Sequence, residues 1–120
     1  MGLIVDAKQV QPAPGRFKGV IGRPLMNADS GSVSVTMSVL TLEPGAVLPV
    51  HTHVAEESFF VIEGTGVATV GGSEHAIGPE IALLADAGEP HGFANNADKP
   101  LRIVCMHPVG RPQTRFLQEA

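Results

Sequence analysis

Hydrophobic and polar positions alternate with a period of two along much of the chain, the repeat expected of half-buried strands. Val33, Val35, Met37 and Val39 alternate with Ser34, Thr36 and Ser38, which predicts a strand over Ser32–Leu42 with the apolar set inward and the hydroxyls in water. Further strands are predicted over Val47–His53, Ser58–Ile62, Thr65–Val70, His75–Ile77, Ile81–Ala85, His91–Asn95 and Leu101–His107. Turn-forming residues separate them at Glu43-Pro44-Gly45, Glu63-Gly64, Gly71-Gly72, Ala87-Gly88-Glu89-Pro90 and Asn95–Pro100. Residues 1–27 carry Pro12, Pro14 and Pro24 and are expected to be irregular apart from a short strand near Phe17–Ile21. Thr114–Gln118 is expected either to pair as an edge strand or to pack on a partner. Many short strands with turns between them predict an all-β fold, a small antiparallel barrel or jelly roll.

Composition and charge narrow the class. A chain of 120 residues is expected to form one domain with a core large enough to stand alone. Its net charge of −4 argues against a nucleic-acid partner, which calls for a basic face. No apolar run approaches the roughly 18 residues of a membrane helix. The opening Met1-Gly2-Leu3-Ile4-Val5-Asp6 lacks the basic start of a signal peptide. The single Cys105 has no intramolecular partner, which fits a reducing, cytoplasmic setting. The lack of tyrosine removes that residue as a catalytic acid, base or radical site.

The chemistry concentrates in one stretch. His51 and His53 are one residue apart, so on an extended strand both project from one face. Glu57, four residues on, returns to the same point if the chain bends between them, and the distant His91 offers a fourth donor. Three neutral imidazoles and a carboxylate suit one divalent transition metal ion, with iron, manganese, nickel, copper and zinc all served by the same nitrogen and oxygen donors. Glu56 is the rival carboxylate; alternation sends it outward if Glu57 points in.

These residues resemble the two motifs of the cupin family. Gly45, His51, His53, Glu57 and Gly64 fit the first motif, and Gly88, His91 and Asn95 fit the end of the second. Two positions depart from the pattern: Glu80 stands where the second motif opens with glycine, and Asp86 where it carries proline. Both are turn or edge positions, so they bear on loop shape rather than on the donors. The resemblance implies a double-stranded β-helix, or jelly-roll, barrel over residues 33–108, with 1–27 as an arm and 109–120 as a tail of a single cupin domain spanning 1–120. It also implies that His51, His53, Glu57 and His91 ligate a metal inside the barrel.

On Leu101–His107 the charged Arg102 is expected to face water, which turns Ile103, Cys105 and His107 inward. Cys105 and His107 are therefore candidates for a catalytic role beside the metal, against the plainer readings of a buried thiol and an idle rim imidazole. Asn95 is expected to fix a turn, and His75 is expected to be solvated. The inferred cavity, lined by Val35, Met37, Leu48, Phe59, Phe93, Ile103 and Cys105, is mostly apolar and offers no cation for a highly phosphorylated substrate. By analogy with small metal-binding cupins, the first functional reading is a metal-dependent dioxygenase or related oxidoreductase acting on a small, largely apolar organic substrate. Alternatives are a Lewis-acid isomerase, lyase or cyclase acting on a sugar acid or polyketide, and a non-enzymatic binding module. The resemblance further implies a homodimer, paired through the N-terminal segment.

Overall fold

A computed structural model describes residues 2–32 and 34–117. The strands are β1 (Val20–Met26), β2 (Thr36–Leu42), β3 (Val47–His53), β4 (Glu57–Glu63), β5 (Gly66–Val70), β6 (Ser73–Ile77), β7 (Ala82–Ala85), β8 (His91–Ala94), β9 (Leu101–His107) and β10 (Thr114–Phe116). They form two five-stranded antiparallel sheets, ordered β1-β2-β9-β4-β7 and β10-β3-β8-β5-β6. Apart from the β1–β2 and β5–β6 hairpins, successive strands cross between the sheets, the jelly-roll arrangement expected from the sequence. Leu42, Val61, Leu101 and Ile103 are fully buried between them, packed with Phe59, Ala68, Phe93 and Cys105. Each of the large aliphatic side chains contributes about 1.5–3 kcal/mol through apolar burial.

Turn chemistry sets the strand ends. Gly64 has φ +82°, and a Cβ there would lie 2.9 Å from the Leu101 Cα, so both backbone conformation and space select glycine. Gly78-Pro79-Glu80-Ile81 is a turn closed by Ile81 N–H donating to the Gly78 carbonyl at 3.2 Å. Glu80, at φ +70°, is the one non-glycine residue with positive φ among those described. Proline at the second position followed by a positive φ at the third is the type II pattern, which favours glycine there. The departure from the motif at Glu80 is thus a glycine-favouring backbone carrying a side chain.

Two expectations for the first half of the chain are corrected. The N-terminal strand is longer and later than Phe17–Ile21, running from Val20 to Met26 through Pro24. Proline is tolerated because β1 is an edge strand and its register shifts between Pro24 and Met26. The phase of β2 is the reverse of that expected. Ser38, Leu40 and Leu42 stand opposite Cys105, Ile103 and Leu101 and face the interior, whereas Met37 and Val39 stand opposite Met106 and Val104 on the outer face. That outer face is itself apolar, with Phe60, Ile62, Leu84 and Met106 exposed on it. Alternation of Val and Met with Ser and Thr therefore does not reveal which side is inward; Leu40 and Leu42 do. Strand β2 begins at Thr36, later than expected, and Val33 lies outside the described residues. Gln118, the end of the expected tail strand, also lies outside them.

Candidate metal centre

His51 and His53 lie on β3, and His91 opens β8, its neighbour in the same sheet. His51 and His91 are register partners, so their side chains share a face, with ring centroids 4.3 Å apart. A bulge helps to place them: the register passes from Leu48↔Phe93 to His51↔His91, leaving an extra residue on β3 around Pro49. Gly92 sits against it, where a Cβ would come 2.7 Å from the Leu48 carbonyl oxygen. The bulge turns the Pro49 carbonyl onto His51. Glu57 opens β4 in the opposite sheet, and His107 closes β9 beside it.

One donor atom each from His51, His53, Glu57 and His91 lie within 4.8 Å of one another, and all four residues are buried. The Nδ1 atoms face outward from the cluster toward oxygen atoms. His51 Nδ1 donates to the Pro49 carbonyl at 2.8 Å and His91 Nδ1 to the Glu89 carbonyl at 2.9 Å. His53 Nδ1 lies 3.0 Å from Thr114 Oγ1 and 3.3 Å from the Gln113 carbonyl. Carbonyl oxygens only accept, so they hold the proton on Nδ1 and turn the Nε2 lone pair toward the cluster, the tautomer a metal ligand needs.

The Nε2 atoms of His53 and His91 lie 3.0 and 3.1 Å from Glu57 Oε1. A neutral imidazole has one N–H, so a ring with acceptors at both nitrogens leaves one lone pair facing another unless a cation lies between them. Two donors at right angles, each ~2.1 Å from an ion, are ~3.0 Å apart, which matches these separations. The residues present therefore fit a divalent ion.

Electrostatics favour the same reading. Burial lowers the His51 pKa to about 4, the contact with the Pro49 carbonyl opposing it, so the ring is neutral near pH 7. Burial alone would raise the Glu57 pKa, but the close contacts with His107 first, then His53 and His91, outweigh it and hold the carboxyl well below the usual carboxylate range. Glu56 is exposed, so the two adjacent carboxylates have separate roles.

The structure brings His107 to the cluster: its Nε2 lies 2.9 Å from Glu57 Oε2, and its ring centroid is 4.5 Å from that of His53. Its Nδ1 is buried without a partner. Cys105 is one step further away, packed opposite Phe59 with its Sγ 3.8 Å from the Ile103 carbonyl. Burial, assisted by the Glu57 charge, raises its pKa, with Ser38 opposing; the thiol stays protonated and unreactive at neutral pH. Asn95 fixes a turn as expected: its Nδ2 donates to the Leu42 and Lys99 carbonyls at 2.9 and 2.7 Å and its Oδ1 accepts from Ala97 N–H. His75 is exposed. At the other departure from the motif, Asp86 N–H donates to Glu89 Oε1 at 3.0 Å, a bond proline could not make.

The expected apolar cavity is largely filled. Phe59, Phe93 and Ile103 pack as core, while Met37 lies on the outer face and Val35 at the surface. Two surface clefts open beside the cluster, one at His53 and one at His107. One of about 590 Å³ runs past Thr52, His53, Gly88, Thr114 and Arg115. The other, about 150 Å³, lies between Val35, Glu56, Leu84 and His107. Both touch the end of the barrel where β3 and β9 stop. Thr114 and Gln113 were not singled out from the sequence as site residues; the one relevant signal was the expectation that Thr114–Gln118 pairs as an edge strand.

Comparisons with known proteins agree with this geometry. A family model described as a cupin domain matches residues 38–107. The tetracenomycin polyketide synthase protein TcmJ of Streptomyces glaucescens is 30% identical over 94 residues, which are 77% of this chain and 63% of that protein. The chain thus spans less than two thirds of that relative. Among solved structures, the polyketide cyclase RemF of Streptomyces resistomycificus superposes with a TM-score of 0.86 at 25% identity, covering 100% of this chain and 88% of that one. A predicted oxalate decarboxylase of Thermotoga maritima gives a TM-score of 0.79 at 20% identity, covering 89% and 99%. At that identity only the shared fold carries weight.

Proposed function

The chain belongs to the cupin family, and on that premise we propose that it is a metal-dependent cyclase acting by Lewis-acid chemistry on a polyketide-like substrate rich in carbonyl groups. The observation that carries this reading is the convergence of three imidazoles, their Nδ1 atoms tied outward, on a buried carboxylate. Likeness to TcmJ and to RemF favours a polyketide over the other substrates considered and moves weight from the dioxygenase reading to the cyclase reading.

His51, His53, His91 and Glu57 would hold the ion. A divalent ion held by them would supply Lewis-acid stabilisation of the negative charge that develops on a carbonyl oxygen. The remaining chemistry belongs to the chain. Glu57 Oε2 accepts from His107 Nε2, so in the neutral His107 ring Nδ1 is a bare acceptor. We assign to it the proton taken from an acidic carbon between two carbonyls and returned to a carbonyl oxygen, the two transfers an aldol-type ring closure requires; because the atom is buried, substrate must open the cleft beside His107 to reach it. Phe59 and Phe93 keep water from the inner side of the cluster. Substrate would approach from the end of the barrel marked by His53 and His107.

Turnover of a poly-β-carbonyl substrate by metal-loaded protein under anaerobic conditions tests the reading. Cyclised product formed without oxygen is expected; substrate loss that requires oxygen uptake would return the protein to the dioxygenase class. His107→Ala is expected to keep its metal at saturating ion and lose most turnover. We also propose a homodimer, supported by the exposed Phe60, Ile62, Leu84 and Met106 on one sheet face, which differs from the N-terminal pairing expected from the sequence. A monomeric mass at micromolar concentration counts against it. Among the described residues no helix is long and apolar enough to cross a membrane.

A further inference from the structure

Of the three clustered imidazoles, two are oriented by their own local backbone and one is not. His51 and His91 each meet a carbonyl two residues upstream, so their rings are set wherever β3 and β8 are folded. His53 depends on Thr114 and Gln113, 61 and 60 residues further along the chain. Both lie on or beside β10, a three-residue strand at the edge of its sheet. Thr114 pairs with His53 and Phe116 with His51, so both side chains lie on the face of β10 that meets the cluster. The Phe116 ring is 5.1 Å from His51 and 5.0 Å from Phe17 of the N-terminal arm, with the Arg16 guanidinium 4.6 Å above it.

We infer that β10 is a strap coupled to the metal centre: Thr114 is a positioning residue for His53, and docking of β10 and binding of a divalent ion reinforce each other. The inference rests on the metal-binding reading above. With β10 docked, the Gln113 carbonyl at 3.3 Å holds the proton on His53 Nδ1, the Thr114 hydroxyl at 3.0 Å fixes the ring's orientation, and Nε2 is left as the ligand. With β10 released, the ring is free to rotate and to carry its proton on Nε2, where it meets Glu57 instead of an ion. If docking strengthens ion binding by some factor, the bound ion strengthens docking by the same factor. A three-residue edge strand is the kind of element whose local opening such coupling can shift.

The experiment titrates zinc(II) alone into the full chain and follows amide exchange of residues 113–117. In wild type, the ion is expected to slow that exchange. Thr114→Val removes the hydroxyl but not the bulk; it is expected to bind zinc about 10–100-fold more weakly, as loss of a ligand's hydrogen-bond partner does, and to lose most of the ion-dependent protection. Thr114→Ser is expected to restore both. Circular dichroism of the metal-free variants establishes that they are folded, and Thr114→Ser guards against a mere packing defect. Unchanged zinc affinity in a folded Thr114→Val, or equal protection of β10 in that variant, overturns the coupling while leaving the metal site standing. Failure of the wild type to bind zinc, manganese, iron, nickel or copper overturns the metal reading and the coupling with it.

Discussion

The two sheets meet at the cluster on unequal terms. One supplies three imidazoles from β3 and β8, each with its Nδ1 committed to oxygen acceptors outside the cluster. The other supplies the charge, on Glu57, whose second oxygen accepts from His107 on the adjacent β9. On the imidazole side, burial lowers the pKa of His51 and keeps that ring neutral. The carboxylate side stays ionised through its contact with His107 on the same sheet first, and then through those with His53 and His91 across the gap. Each sheet is therefore incomplete without the other. The comparison teaches that an ion would enter at the seam, replacing contacts that already bridge the sheets.

The largest expected effect is the ion's own. At about 1,000 times its Kd, a divalent ion stabilises the folded chain by about 4 kcal/mol, a rise in Tm of roughly 10–25 °C for a domain of this size. His91→Ala on one sheet and Glu57→Ala on the other should both abolish that rise, measured by melting with and without ion. Retention of the full rise by either variant places that residue outside the cluster. The sheets should differ without metal: Glu57→Ala leaves the His107 Nε2–H without its acceptor and should lower metal-free stability by about 1–3 kcal/mol beyond the effect of lost packing.

His107 sharpens the comparison from the carboxylate side. Among the described residues only its Nε2 steadies Glu57 Oε2, so His107→Ala should weaken ion affinity about 10–100-fold. Calorimetric titration checks this. An unchanged Kd would show that Glu57 needs no support from its own sheet.

Legibility from the sequence follows the same division. Part of the donor set was readable because its geometry is local, His51 and His53 sharing a strand face; Glu57 was chosen over its exposed neighbour Glu56 by its spacing to Gly64, and alternation then sent Glu56 outward. His91 and the turn role of Asn95 came from motif spacing. Most strand positions were legible for the same reason, since turns such as Glu63-Gly64 and Gly71-Gly72 punctuate them. Three features were hidden. The inward phase of β2 was hidden because both faces of that sheet are apolar, so the alternation of Val39 with Ser38 carries no direction. Strand β1 was obscured by Pro24, which reads as a breaker unless the strand is known to be an edge. The hold of Thr114 on His53 spans 61 residues, and no local pattern encodes it.

A smaller effect separates the cluster from the core beside it. Cys105 shares the interior face with Phe59, but its thiol is no member of the donor group. Cys105→Ala should cost about 1 kcal/mol in stability and leave ion affinity and turnover unchanged. In the folded wild type the thiol should resist alkylation at pH 8 until denaturant is added. Rapid alkylation of the native protein, or loss of turnover in Cys105→Ala, would move the chemistry deeper into the carboxylate sheet than His107.

The smallest expected change lies at the turn leading into β7, whose Ala85 pairs with Glu57. Glu80 occupies a left-handed conformation at φ +70°, which costs a residue with a Cβ about 1–2 kcal/mol. Glycine adopts it freely but loses more entropy on folding, by roughly 0.5–1 kcal/mol. The difference favours Glu80→Gly by about 0.5 kcal/mol, readable as a rise of roughly 2 °C in Tm. Ion affinity should not move, because Glu57 is held by the imidazoles and not by the tightness of this turn. A Glu80→Gly variant with altered Kd would show that the backbone of β7 sets the carboxylate, and the unequal division between the sheets would have to be redrawn with the turn as part of the site.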